Sequence, residues 1–224
     1  MKGYYFLNNS FRAFASNQMS KKVKIYTKTG DTGRTSLFSG ERKLKSDPFF
    51  DALGNTDELN ACLGIVRSIQ AIQHCSTHED VVQKLRFIQS RLIDLGSSIA
   101  TPKTTSPEEK LRIAHFDEAH TAQLESWIDD YEDALPPLRL FILPSGGLAS
   151  SHLHLARAVC RRAERSIVPF LKTDDLEPAA YRFVNRLSDF LFVVARTVCH
   201  REGQEEIPYK KERPPEPAEE PVKS

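Results

Sequence analysis

The stretch Thr27-Lys28-Thr29-Gly30-Asp31-Thr32-Gly33-Arg34-Thr35-Ser36 combines glycines, hydroxyls and basic side chains. Glycines let backbone amides approach a phosphate chain closely, while lysine, arginine and hydroxyl groups add charge and donors. It lacks the Gly-Lys-Ser/Thr ending of a Walker A loop, and a Gly-Asp-x-Gly stretch taken alone is more often a turn than a nucleotide site. A second set of residues lies between Leu153 and Arg165. There Leu153, Ala156, Cys160, Ala163 and Ile167 recur at helical spacing, and His154, Arg157, Arg161, Glu164 and Arg165 border that seam. Arginines placed beside a core seam need carboxylate or phosphate partners for their planar forks. Ion pairs along the helix, each contributing about 0.2 to 0.5 kcal/mol, would satisfy a lone Arg-x-x-Glu. Four arginines below the Gly146-Gly147 pair weaken that simpler reading.

A third set is Asn185-Arg186-Leu187-Ser188-Asp189, in which Asn185 and Asp189 stand one helical turn apart and share a face with Phe192 and Arg196. This is either a binding patch or a polar patch that satisfies a neighbouring helix. Asp57 and Glu58 are surface acids or partners for the arginines. Histidine chemistry is poorly supported: His152 and His154 fall on different helix faces, and no Glu-x-x-His pairs of the di-iron type occur. No Ser-His-Asp or Cys-His arrangement suggests a nucleophile. The spacing of Cys62, Cys75, Cys160 and Cys199 fits no metal site, so they read as reduced core residues or bystanders.

The elements that must position these groups are helical. Val81, Leu85, Ile88, Leu92, Leu95 and Ile99 alternate steps of three and four and form one stripe. A Ser106 cap before Pro107, Glu108 and Glu109 predicts a helix that runs to Leu135 and stops at Pro136-Pro137. Further helices are expected over about 47–72, 150–171 and 178–201. Phe141 to Gly147 reads as a breaker-rich loop and Val23 to Tyr26 as the one candidate strand. The expected fold is an all-α, five-helix up-and-down bundle.

With 31 basic and 30 acidic residues the net charge is +1, which gives no global field toward nucleic acid or an anionic membrane. No apolar run is long enough to span a bilayer. The first 30 residues carry no Asp or Glu and six Lys or Arg, a composition like that of a mitochondrial transit peptide. The expected organisation is a targeting segment over 1–22, a bundle over 23–204 and a disordered Pro/Glu-rich tail over 205–224.

The motifs Thr-Lys-Thr-Gly-Asp-x-Gly, Phe-Ile-Leu-Pro-x-Gly-Gly with His-x-Ala-Arg-x-x-x-Arg-Arg-Ala-Glu-Arg, and Asn-Arg-Leu-Ser-Asp occur in that order. In these the chain resembles the PduO-type ATP:cob(I)alamin adenosyltransferases, the family that includes the mitochondrial enzyme of the methylmalonyl-CoA pathway. The resemblance implies a homotrimer with ATP and cob(I)alamin as substrates, Mg2+ as cofactor, and active sites between subunits. By resemblance Thr27, Lys28, Thr29, Gly30, Thr35, Ser36 and Lys45 hold ATP from one subunit. Arg161, Arg162, Glu164, Arg165 and Asn185 complete the site from the neighbour. Arg157 and Asp57 resemble the family's ion pair across the interface. Phe141 matches the aromatic residue that displaces cobalt's lower axial ligand, which makes cobalt(II) reducible to nucleophilic cobalt(I). No resident protein-bound metal site is implied. A reductase and methylmalonyl-CoA mutase are the implied partners, and the mitochondrial matrix the implied location. Cys199-His200 departs from the family pattern at a place expected to touch none of these motifs. A corrinoid or nucleotide carrier and a helical scaffold are the competing readings. Only the scaffold predicts no ATP binding.

Overall fold

The computed structural model describes residues 26, 28–69, 72 and 75–211. Thr27, the segment 1–22 and most of the candidate strand at 23–26 lie outside the described residues. Among these residues there are six α-helices: α1 Pro48–Ser68, α2 Glu79–Ile99, α3 Glu108–Ile113, α4 Ala119–Glu132, α5 Gly147–Lys172 and α6 Pro178–Arg201. A 3-10 turn, Ser76–His78, precedes α2. A small antiparallel hairpin, β1 Arg34–Ser36 and β2 Arg42–Leu44, pairs Thr35 with Lys43. It was not foreseen in the sequence, because its strands are short and edge-like and carry little apolar alternation.

Helix α1 starts where Asp47 accepts from the Phe49 amide (3.1 Å) and Pro48 supplies the first helical residue. The predicted stripe of α2 is buried throughout, from Val81 to Ile99. Helix α5 packs between α1 and α6, and α6 in turn packs on α4. Each buried leucine or isoleucine of these faces stabilises the bundle by about 1.5 to 3 kcal/mol. Helix α6 is the most enclosed. Every residue from Val193 to Cys199 is buried, and that includes Arg196, which the helical spacing had put on the polar face with Asn185.

The single helix expected from Ser106 to Leu135 is two. Pro107, not Ser106, occupies the cap of α3, and Ser106 Oγ is buried with no hydrogen-bond partner. The chain leaves helical geometry because Glu177, at the cap of α6, accepts from the Phe116 amide (2.9 Å) and meets His115 Nδ1 (3.0 Å). Phe116 is then buried against Phe183 and His120, and Asp117 accepts from the Ala119 amide (2.9 Å) to start α4. A carboxylate 61 residues away decides the break, so local periodicity carried no sign of it.

The expected loss of structure at 205 also moves. Leu143 N donates to Ile207 O (2.8 Å), Tyr209 N to Phe141 O (2.7 Å) and Ile207 N to Ser145 Oγ (3.1 Å). Backbone pairing and the Glu206 carboxylate therefore order residues that composition alone assigns to a tail.

Burial pushes the imidazoles of His78, His120 and His154 below the usual histidine range, with Arg201, Arg91 and Arg157 adding to the effect. The unfolded chain takes up these protons near pH 6.5 while the folded chain does not. Their contribution to stability is therefore present above about pH 6.5 and lost as pH falls below it. The exposed His115, raised by its bond to Glu177, acts in the opposite sense. The urea midpoint should drop between pH 7.5 and 5.5, and the paired change His78→Asn and His154→Gln should flatten that slope.

Candidate anion site and apolar loop

The polar loop 28–33 is a pair of tight turns, with Asp31 N on Lys28 O (3.4 Å) and Gly33 N on Gly30 O (3.2 Å). Lys28 adopts a left-handed φ of 59°, and Gly33 one of 75°. Arg42 of β2 donates to Thr29 O (2.9 Å) and Arg34 donates to Arg42 O (3.0 Å), so the hairpin pins the loop. The Lys45 ammonium lies over Gly30, where an added Cβ would come within 3.2 Å of it. Lys28, Thr29, Ser36 and Lys45 are exposed, while Gly30 and Thr35 are half-buried. The hairpin seats on the bundle through buried Leu37 and through Ser39 N on Ala100 O (3.1 Å).

On α5, Arg157, Arg161 and Arg165 follow one another at steps of four and so share one ridge. Arg157 is half-buried, its guanidinium 5.2 Å from the centre of the Phe192 ring. Arg161 and Arg165 are exposed and have no hydrogen-bond or ion-pair partner among the described residues. Arg162 points elsewhere: it pairs with Glu58 and donates to Asn55 Oδ1 (3.1 Å), both on α1. Glu164 accepts from Asn185 Nδ2 (2.8 Å) and lies 3.4 Å from the Tyr181 hydroxyl, which fixes the carboxylate beside the ridge. Asp57 is exposed, and among the described residues no hydrogen bond or ion pair joins it to Arg157. Arg186 and Asp189 pair with each other (2.7 Å), and Arg186 also reaches Glu125 (3.0 Å). That part of the third motif is the helix-joining patch. Sequence reasoning missed Asn55 and Tyr181 as partners, since only the packing of α1 and α6 on α5 brings them close.

No hydrogen bond or ion pair among the described residues joins the 28–45 segment to Arg161, Arg162, Glu164, Arg165 or Asn185.

Phe141 is 84% exposed and lines an open pocket of about 340 Å³ with Leu138, Arg139 and Leu140. Pro136 to Gly146 is held from below by α6. Gly146 has a φ of +87°, and its missing side chain leaves room for Cys199, whose Cβ a Gly146 Cβ would approach to 2.6 Å. Cys199 therefore does touch a motif, against the expectation from sequence, and burial pushes its thiol up so that it packs as a neutral group. Gly146→Ala should lower stability by about 2 to 4 kcal/mol, from left-handed strain and overpacking together. Adding Cys199→Gly should recover the packing part alone, as a double-mutant cycle of urea midpoints would show.

Fold and site together define a helical-bundle protein with a ridge of unpaired arginines and an exposed aromatic loop. A family profile described as cobalamin adenosyltransferase matches residues 25–198. The chain is 46% identical over 196 residues to the corrinoid adenosyltransferase MMAB of Bos taurus, covering 88% of this chain and 80% of that protein. It is 36% identical over 189 residues to a corrinoid adenosyltransferase of Bacillus subtilis, covering 84% and 93% respectively. Among solved structures, a variant PduO-type ATP:corrinoid adenosyltransferase from Lactobacillus reuteri, complexed with cobalamin and ATP, superposes with a TM-score of 0.75. That match has 36% identity and covers 84% of this chain and all of the other. The chain belongs to the cobalamin adenosyltransferase family.

Proposed function

We propose that this protein transfers the 5′-deoxyadenosyl group of ATP to cob(I)alamin, forming adenosylcobalamin and releasing triphosphate. The observation that carries the reading is the α5 ridge. Like charges at steps of four cost a helix about 0.2 to 0.5 kcal/mol each, and none of the three arginines has an ion-pair partner among the described residues. A triphosphate supplies that charge. In the reaction the cobalt(I) electron pair forms the bond to C5′ as the C5′–O bond breaks, and triphosphate leaves with that bond's electrons. Charge grows on the leaving oxygens, where guanidinium groups act best.

Lys28, Thr29, Gly30, Thr35, Ser36 and Lys45, together with Thr27 outside the described residues, would hold ATP from one subunit. Arg161, Arg162, Glu164, Arg165 and Asn185 would close the site from the next, in a homotrimer. That no hydrogen bond or ion pair joins the two groups among the described residues of one chain supports this, as does Asp57, left without Arg157 and available to it across an interface. Phe141 would stand against the corrin ring. Among the described residues no cluster of three metal-ligating side chains exists. Magnesium, commonly held by one or two carboxylates and the substrate's own phosphates, would fit beside Glu164 and neutralise phosphate charge. The protein contributes orientation, charge and an apolar surface, and needs no nucleophile of its own. The acid-free, basic first 30 residues support a mitochondrial matrix location. There a corrinoid reductase would precede this step and methylmalonyl-CoA mutase would receive the product. No helix among the described residues is long and apolar enough to cross a membrane.

The test incubates the full chain with ATP, magnesium and chemically reduced cob(I)alamin, and follows adenosylcobalamin by its visible spectrum and its light sensitivity. Product is expected. Bound ATP without product would favour a carrier, and no ATP binding would favour a scaffold.

A further inference from the structure

Arg196 is unusual in this molecule: it is a guanidinium only 5% exposed, set in the fully enclosed part of α6. Its Nε donates to Glu206 Oε1 (2.7 Å), while one terminal nitrogen donates to Pro136 O (2.8 Å) and meets Glu206 Oε2 (3.3 Å). One fork thus ties two separate segments to α6. Pro136 opens the run that carries Leu138, Leu140 and Phe141. Glu206 opens the strap 206–209, which pairs with Phe141 O, Leu143 N and Ser145 Oγ. The carbonyl of Phe141 itself is one of the strap's acceptors. Cys199 beneath Gly146 fixes the far end of the same loop.

We propose that the Arg196–Glu206 pair is a positioning device, which sets the Phe141 loop through the strap rather than touching either substrate. The inference rests on the adenosyl-transfer reading. A side chain as exposed as Phe141 has almost no packing of its own to hold it, so its placement must come from its backbone. That backbone's cross-links run to the strap, and the strap is tied to the core by the buried fork. A pair placed there only for stability would be a poor choice, since a buried ion pair is often no better than apolar residues of the same volume. What it adds is direction: a bidentate fork with a third donor to a carbonyl allows one arrangement of two segments at once.

The test compares the unsubstituted full chain with Glu206→Ala and Glu206→Gln. Turnover, the ATP dissociation constant, helical content and the visible spectrum of bound cob(II)alamin are measured for each. Glu206→Ala should lower turnover about 10- to 100-fold, the scale of a small misplacement of a reacting group. It should reduce the fraction of corrinoid without its lower ligand in parallel, with ATP binding and helical content unchanged. Glu206→Gln, which keeps one acceptor oxygen, should recover part of both. Unchanged turnover and spectrum in Glu206→Ala would overturn the positioning role and leave adenosyl transfer standing. Turnover lost in step with ATP binding and helicity would reduce the pair to a structural one. No product from the unsubstituted chain would remove the reading and this inference together.

Discussion

Arg161→Ala should lower kcat/KM for ATP by about 100- to 1000-fold, the usual loss when one donor to a developing anion is removed from an enclosed site. The size follows from where the charge goes. In the ground state the triphosphate is already anionic and can be held by several groups, but breaking the C5′–O bond adds charge to one end of it. An arginine fork directed there strengthens its hold as the reaction proceeds, so kcat should fall as well as affinity. Stability should not follow, because Arg161 is exposed and has no hydrogen-bond or ion-pair partner among the described residues. Removing the middle one of three like charges at steps of four even relieves a little repulsion. Arg161→Lys should recover part of the loss, since it keeps the charge but not the planar fork. Arg162→Ala should cost less, because Arg162 must first give up Glu58 and Asn55 before it can reach a phosphate. Single-turnover rates and ATP binding, measured beside urea midpoints, separate these expectations.

The helices that carry the chemistry were legible because each buries one face at a regular period. The stripe from Val81 to Ile99 and the seam from Leu153 to Ile167 need no knowledge of the rest of the chain. The arginine ridge was legible for the same reason: spacing fixes which residues share a face. What escaped depends on distant partners. Glu177 breaks the helix at Phe116, and nothing near Phe116 announces it. Arg196 sits at the right period for a polar face, yet the loop at 136–146 and the strap at 206–209 cover it and turn a surface cation into a buried one. The strap was lost for a related reason. Composition measures how much apolar surface a segment can bury, whereas residues 206–209 are held by backbone pairing and one charge-assisted contact. Cys199 looked like a bystander because its neighbour Gly146 lies 53 positions earlier and offers no side chain to pair with. The hairpin at 34–44 pins the loop at Thr29, and its pattern is too short to read.

Phe141→Ala should leave ATP binding, helical content and the urea midpoint unchanged, because the ring is 84% exposed and contributes almost nothing to the core. Its effect should fall on the corrinoid alone. Burying a phenylalanine side chain is worth about 1.5 to 3 kcal/mol. If the ring is covered only when cobalt has shed its lower ligand, that energy favours the four-coordinate state over the five-coordinate one. Losing it should shift the equilibrium by about 10- to 100-fold. Turnover that starts from cob(II)alamin should fall by a similar factor, because the electron enters the four-coordinate form. Turnover that starts from cob(I)alamin, already four-coordinate and reduced, should fall much less. The two starting materials therefore distinguish a ring that tunes cobalt's coordination from one that merely lines a pocket, for which both rates would drop together. Phe141→Leu should lie between, closer to the parent, since the argument asks for apolar volume against the metal's lower face and not for an aromatic ring as such.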